Sequence, residues 1–347
     1  ETQENDTIRI NTESPLQTLI RFLKSKGFNA QSVEEQKQDS ASITVTVQTR
    51  SEESSALYVT HVLDGLKNEG LRFSVTSRIH GRFNTLGTWT QRMSHVKPNL
   101  GNVSAQKSIK YKGEDLRNEA IRLGGAMRSL FVAANDSYLV GTDFDAAHLR
   151  IFAHLIDDKE LIQALVSGRK DNGTDPHTIN QRKIGTLCRD RDLSKTCVYT
   201  FLNGGGAPKF ASILGCSYRD GQTALNRFID SYPGLQRLRS SEIPKLAAQG
   251  YFVGLDGRLV ACDSEHHMLA CMLQNAEAVI MKHACIQWRK RLRDEGIRYR
   301  LVNFVHDEWQ TEVLDTRDGK ASVLVGRYQV ESIIDVGKRF GLRCPLQ

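Results

Sequence analysis

The sequence predicts an α+β chain of two or three subdomains, with carboxylates at strand ends set against a basic helix. Three observations carry that reading. The apolar run Tyr138-Leu139-Val140-Gly141-Thr142 has the length of a strand and passes directly into Asp143. A long helical pattern from His267 to Arg293 precedes two strand-like runs, Tyr299 to Val302 and Trp309 to Val313, with His306-Asp307-Glu308 at their turn. Between them Arg191, Lys195 and Tyr199 recur at every fourth position, which on a helix places them on one face.

Length and composition bound the rest. A chain of 347 residues can bury more than one core. Hydrophobic residues at 39% and charged residues at 25% are ordinary for a soluble protein. The net charge of +7 suits a polyanionic partner, although many proteins without one share it. Seven cysteines, odd in number and without a Cys-x-x-Cys pair, indicate neither a disulfide framework nor a zinc site, and fit a reducing compartment. No apolar run nears the ~20 residues that span a bilayer. The polar start Glu1-Thr2-Gln3-Glu4-Asn5-Asp6 is no secretory signal, and the missing initiator Met fits a processed, trimmed or engineered start.

Taken in order, Ile8 to Phe28 reads as a short strand followed by a helix that starts at Ser14-Pro15, carries Leu16, Leu19, Ile20 and Leu23 on one face and ends at Gly27. The alternation Ser42-Ile43-Thr44-Val45-Thr46-Val47 is a strand or an extended connection. A second helix is expected from about Ser54 to Asn68, closed by Gly70. From Arg78 to Ser104 core-forming residues are few, so this stretch is expected to pack over another element. After Asp143, Leu149, Phe152, Ala153, Leu155 and Ile156 repeat at helical spacing, so the carboxylate sits where strand gives way to helix. Glu242 to Gly250 reads as helix, and Gly250 to Arg258 as a hairpin turning at Asp256-Gly257. The long helix places Met268, Leu269, Met272, Ala276, Val279 and Ile280 on its apolar face and closes at Gly296. No repeat at solenoid spacing is present.

Acid, base, acid in that order is the layout of a nucleotidyl-transfer site. Two divalent ions roughly 3.5 to 4 Å apart need carboxylates from separate parts of a chain, and Asp143 and Asp307 are the candidates. Hard Mg2+ prefers oxygen ligands, so two aspartates completed by substrate phosphates suffice. Arg191, Lys195 and Tyr199 would then offer two cations for a triphosphate and a ring for base and sugar. Singly, each motif is more often structural: an Asp after a strand is usually a helix cap, a His-Asp-Glu triplet a solvated turn, and a basic stripe an exposed helix face. Their combination makes the case. Gly204-Gly205-Gly206 ends the basic helix abruptly.

Beyond spacing, Met127-Arg128-Ser129-Leu130-Phe131-Val132-Ala133 and the run from Tyr138 through Asp143-Phe144-Asp145-Ala146-Ala147-His148-Leu149-Arg150 to Ala153-His154-Leu155 resemble motif A of family A DNA polymerases, the bacterial DNA polymerase I type and its phage relatives. Asp175-Pro176-His177, Arg191 to Tyr199, and Val305-His306-Asp307-Glu308 resemble that family's fingers motif, motif B and motif C. Thr90-Gln91-Arg92 and Pro98-Asn99-Leu100-Gly101-Asn102-Val103 are similar to its primer-template contact segment. The resemblance runs from about residue 78 to the C-terminus.

It implies a right-hand fold with an antiparallel palm sheet, helical fingers and a reduced helical thumb: residues 1–77 as thumb and palm edge, 78–165 as palm with motif A, 166–250 as fingers, and 251–347 as palm with motif C. Asp143 and Asp307 would hold two Mg2+ ions, for which Mn2+ would substitute, with the Phe144 carbonyl as a further ligand and Glu308 nearby. His177, Arg191 and Lys195 would grip the triphosphate of a dNTP, Lys195 also acting in catalysis, and Tyr199 would pack on sugar and base. Arg92, Asn99, Asn102, Gln274 and His306 would lie along primer-template DNA. Tyr at position 199 implies acceptance of 3′-deoxy chain terminators.

Several positions depart from the family. His148 stands where the family usually has Glu below the sugar 2′ carbon, and Asn203 where it has Tyr bonded to that Glu. A His148–Asn203 hydrogen-bonded pair is therefore expected, forming a rebuilt sugar gate. Ala270 and His266 replace the usual Asn and Arg facing DNA, and Asp145 replaces a Ser. The chain stops at Cys344-Pro345-Leu346-Gln347, short of the family's Gly-, Trp- and His-bearing tail. Residues before 78 are too few for a proofreading exonuclease, and Asp263-Ser264-Glu265 is expected to be a solvated loop.

The resulting expectation is a template-directed, Mg2+-dependent DNA polymerase of the cytoplasm, or of a host cytoplasm if phage-encoded. It would extend a primer without proofreading, with a processivity or replication partner and no membrane. A ribonucleotide-tolerant priming, gap-filling or bypass polymerase is the alternative within enzymes, and a DNA-binding scaffold the alternative outside them.

Overall fold

The computed structural model describes residues 81–102, 130–134, 136–315 and 319–347, together with Ile79 and the backbone of four strands in the first eighty residues. The helices expected over 14–27 and 54–68, and with them the helical part of the thumb, lie outside the described residues, as do Met127-Arg128-Ser129 of the motif A segment. The chain forms two compact units, residues 1–80 and 81–347.

In the first unit β1 (Asp6–Thr12), β2 (Asn29–Val33), β3 (Ser42–Gln48) and β4 (Phe73–Thr76) form an antiparallel sheet ordered β2-β3-β1-β4. The alternating run at 42–47 is thus a strand; β2 and β4 were not read from the sequence.

The second unit begins with the short hairpin β5 (Arg82–Asn84) and β6 (Ser94–Val96). Its central sheet is β7 (Ser137–Asp143), β10 (Tyr299–Val305) and β11 (Glu308–Leu314), ordered β10-β11-β7 and antiparallel throughout. Strand β7 is followed by α1 (Ala147–Ile156), α2 (Lys159–Ser167), α3 (Pro176–Ile184), α4 (Arg191–Leu202), α5 (Ala207–Leu214) and α6 (Tyr218–Asp230). Then α7 (Pro233–Arg237) runs through a π-turn, Leu238–Glu242, into α8 (Ile243–Gln249). Pro244 has no N–H for the ordinary helical bond, which is the local reason for the widened turn. The hairpin β8 (Tyr251–Val253) and β9 (Leu259–Ala261) turns at Asp256-Gly257, where Gly257 takes φ 80°.

Helix α9 (Glu265–Asp294) is capped by Ser264, whose hydroxyl accepts from the His267 N–H, so Asp263-Ser264-Glu265 is a helix start with exposed carboxylates. It ends with Gly296 at φ 68° and a bond from Ile297 N–H to the Leu292 carbonyl. The expected apolar face is correct but too narrow. Leu273, Asn275, Glu277, Ala278 and Met281 are buried as well, so this stretch runs through the interior instead of lying on it. The closing helix α10 (Lys320–Arg339) was not read from the sequence. One hydrophobic core joins sheet and helices, from Phe144, Trp288, Phe304 and Trp309 to Phe152, Phe201, Phe228 and Tyr232.

As its composition predicts, the segment after Gly81 packs over another element. Thr90 donates to Gln274 at 3.3 Å, Asn275 donates to the Thr90 carbonyl at 3.3 Å, and Lys282 donates to the Thr85 carbonyl at 2.6 Å. The loop is stapled along α9.

Candidate active site

The two acid tips meet through the sheet. Residue Asp143 ends β7 directly opposite Glu308, the first residue of β11, and the Phe144 N–H donates to the Asp307 carbonyl at 2.9 Å. Between Val305 and Glu308 the chain turns in two residues, with His306 at φ 52°. Behind the tips Gln329 of α10, fully buried, accepts from the Thr142 hydroxyl at 2.6 Å and donates to Thr311 at 2.8 Å, tying β7 to β11. Asp143 is therefore positioned by backbone pairing and a buried network, and Asp307 by the two-residue turn that joins the paired strands.

Their electrostatics show the crowding. Burial, then Glu277 and Asp143, raise the Asp307 pKa to about 6. Burial, then Glu308, Asp145 and Glu277, raise that of Asp143. Asp145 thus adds to the negative field at the tips while pairing with Arg150 at 3.0 Å.

Helix α4 presents the stripe to the same place. Burial, then the charges of Asp145, Asp307 and Asp143, raise the Tyr199 pKa, which sets its phenol beside the acid tips. The Tyr199 ring lies 6.1 Å from that of His177. His177 sits in the first turn of α3, its carbonyl accepting from Ser194 at 2.8 Å, and burial followed by the Arg191 and Lys195 charges lowers its pKa to about 4. Its Nδ1 is buried without a partner. Arg191 is anchored, its Nε donating to Asp175 at 2.8 Å, while Asp175 also caps α3. Lys195 is exposed and ion-pairs with nothing among the described residues. Carboxylates, ring, neutral imidazole and cations therefore form a continuous band.

A second cluster adjoins the tips. Arg92 donates from Nε and one terminal nitrogen to the two oxygens of Glu277, at 2.9 and 2.6 Å. His148 Nε2 lies 2.9 Å from the Glu277 carboxylate and 2.8 Å from Arg92. This corrects the expected sugar gate: His148 does not pair with Asn203, whose amide instead donates to the Tyr199 carbonyl of its own helix at 2.8 Å. An Asn at a helix end satisfies itself locally. His306 lines a small cavity with Arg92, Met93, Ala278, Lys282 and Phe304. Gln274 is held by Thr90, Asn99 is exposed with its side chain accepting from Gly101, and the Asn102 side chain lies outside the described residues. Ala270 is buried. A cleft of about 420 Å³ beside Glu160, Arg182, Lys183 and Arg227 is lined by none of the predicted site residues.

Sequence reasoning missed Glu277, Asp175 as the anchor of Arg191, and Gln329. It also gave Arg150 no role, yet this fully buried side chain donates to the carbonyls of Asp145, Leu165 and Pro345 and to the Gln347 side chain. With Asp145 N–H donating to the Gln347 carbonyl, the last residues fold back to the palm.

An antiparallel sheet bearing paired carboxylates, faced by a basic helix, is the architecture of a nucleotide-polymerising palm and fingers. The model of DNA polymerase family A matches residues 28–346, and the chain belongs to that family. It is 28% identical over 295 residues to the DNA-directed DNA polymerase of Enterobacteria phage T3 and 29% to that of Escherichia phage T7. Both alignments cover 78% of this chain and 39% of the relative, so the chain spans about two-fifths of their length. The thermostable DNA polymerase I of Thermus aquaticus is 28% identical over 251 residues, 67% of this chain and 28% of the relative. Among solved structures, the POL domain of Pol1 from M. smegmatis, in complex with DNA primer-template and dNTP, superposes with a TM-score of 0.64 at 21% identity, covering 94% of this chain and 59% of that one. Among the described residues no helix is long and apolar enough to cross a membrane.

Proposed function

We propose that the chain is a template-directed DNA polymerase that adds deoxynucleotides to a primer 3′ end by two-metal-ion nucleotidyl transfer. The observation that carries this reading is the meeting of Asp143 and Asp307 across β7 and β11 in front of Tyr199. The donor set fits hard divalent cations such as Mg2+: the Asp307 carboxyl, raised by burial, Glu277 and Asp143, and the Asp143 carboxyl, raised by burial and its acidic neighbours Glu308, Asp145 and Glu277, with the Phe144 carbonyl next to Asp143. Among the described residues no three His, Cys, Asp or Glu side chains are grouped to hold an ion alone, so phosphate and water oxygens would complete the shell. The ions would activate the primer hydroxyl and neutralise the leaving pyrophosphate.

The chain's own groups do the rest. Lys195 gives a free cation to the phosphates, Arg191 a guanidinium whose direction Asp175 fixes, and His177 a neutral imidazole for a hydrogen bond. Tyr199 packs against the sugar and base. Glu308 adds negative field at the tip, and His148, in the first turn of α1, is assigned to the sugar side. Arg92, Asn99, Asn102, Gln274 and His306 are assigned to the primer-template DNA, and Asn203, at the end of the helix that carries Tyr199, to the nucleotide side. We assign Asp263 and Glu265 no proofreading role, since they sit at the exposed start of α9.

Primer extension with four dNTPs and Mg2+ tests the proposal. Asp143→Ala and Asp307→Ala should each lose on the order of 10³-fold or more in rate while keeping primer-template affinity. Extension that survives either change would refute the assignment.

A further inference from the structure

Glu277 is 2% exposed and lies in the interior of α9, where an ionised carboxylate survives only when its oxygens are met. Both are met, and by segments remote in sequence: Arg92 from the loop stapled along α9 and His148 from the first turn of α1. Arg92 spends Nε and one terminal nitrogen on the pair. The carboxylate is also near enough to the acid tips to be felt by Asp143 and Asp307. The loop that carries Arg92, the start of α1 and the interior of α9 therefore share one buried acid.

We propose that Glu277 is a specificity-determining positioning residue, which locks Arg92 and His148 into a rigid wall against which the incoming sugar is read. The inference rests on the polymerase reading above. A nucleotide with its phosphates on Lys195 and its reacting phosphorus at Asp143 and Asp307 has its sugar at the level of Tyr199 and the start of α1, where His148 stands. An imidazole with no partner for its ring nitrogens has several rotamers open to it and would exclude a 2′ hydroxyl poorly; His148 is instead only 12% exposed and bonded. Held by Glu277, which is itself held by Arg92, it occupies one position. The acid that fixes this wall comes from α9 rather than from position 148.

The test is steady-state incorporation of matched dNTP and rNTP by the purified chain carrying Glu277→Ala, Glu277→Gln, His148→Glu, and the double change E277A/H148E. Glu277→Ala should lose about 10-fold or more in dNTP over rNTP selectivity, mainly through KM for the nucleotide, since the metal site is intact. His148→Glu alone should also lose selectivity, because two carboxylates then oppose one Arg92. The double change restores one acid to one Arg92 and should recover selectivity to within about threefold of the wild type. Recovery by transfer of the carboxylate is a result that a merely structural Glu277 would not give. Should the alanine variant unfold in a melt, Glu277→Gln and E277Q/H148E carry the same comparison. A wild type that extends no primer sinks the polymerase reading and this proposal with it. A wild type that extends, with unchanged selectivity in the Glu277 variants or no rescue in the double, overturns this proposal alone.

Discussion

Replacing Asp307 with Asn should stabilise the cation-free protein at the very pH where it abolishes activity. Asp307 ionises at about 6 in the fold against 3.8 in an unconstrained chain, because it is buried beside Glu277 and Asp143. A raised carboxyl pKa means that the folded state binds more protons than the unfolded state between those values, so stability falls as pH rises through the interval. The penalty is absent below about 3.8 and complete above about 6. Roughly two units correspond to about 3 kcal/mol at most, and the open side of the site reduces this toward about 1 to 3 kcal/mol. Asn keeps the shape and removes the charge. The assay is urea unfolding in a chelator at pH 4, 6 and 8, followed by the fluorescence of Trp288 and Trp309, which are buried in the same core. The difference should be near zero at pH 4 and largest at pH 8. Millimolar Mg2+ should stabilise the wild type and leave the Asn variant nearly unchanged. An Asn variant less stable than the wild type at pH 8 in chelator, or a difference independent of pH, would refute the reasoning.

Two further outcomes follow from particular contacts. Arg150→Ala strands the buried carbonyl of Leu165 and releases the carbonyl of Pro345, and should cost about 2 to 4 kcal/mol, with hydrogen exchange at residues 343–347 accelerating ahead of the core. Tyr199→Phe should lower incorporation of dNTP far less than it changes discrimination against 3′-deoxy chain terminators, which the wild type should accept; equal dideoxy rejection by both proteins in single-turnover assays would remove the role given to the phenol.

What the sequence disclosed and what it hid divide along one physical line, the range of the interaction. Strand β7 was legible because its apolar run is short and passes straight into Asp143, and the 191–199 stripe because helical spacing alone places three side chains on one face. The β8–β9 turn was legible because Asp-Gly supplies the left-handed φ that the turn needs. Helix α10 was obscured by Gly326, Gly337 and many β-branched residues, which weaken a helical reading. Their reason is tertiary: a Cβ at 337 would stand 2.6 Å from Leu346, and one at 326 would touch Val140.

The same line explains the error over the sugar gate. An acid inside Asn275-Ala276-Glu277-Ala278 reads locally as a solvated helix face, and a His and an Asn that replace two bonded family residues read as partners of each other. Neither reading could include the stapled loop that brings Arg92 to α9 from 185 positions away. Once that guanidinium is in the interior it requires an acid, and Glu277 can be buried only because it answers that need. His148 then has a partner stronger than an amide, and Asn203 is left to its own helix. Departures from a family pattern are therefore better interpreted as a redistribution of charge among several elements than as isolated losses at single positions.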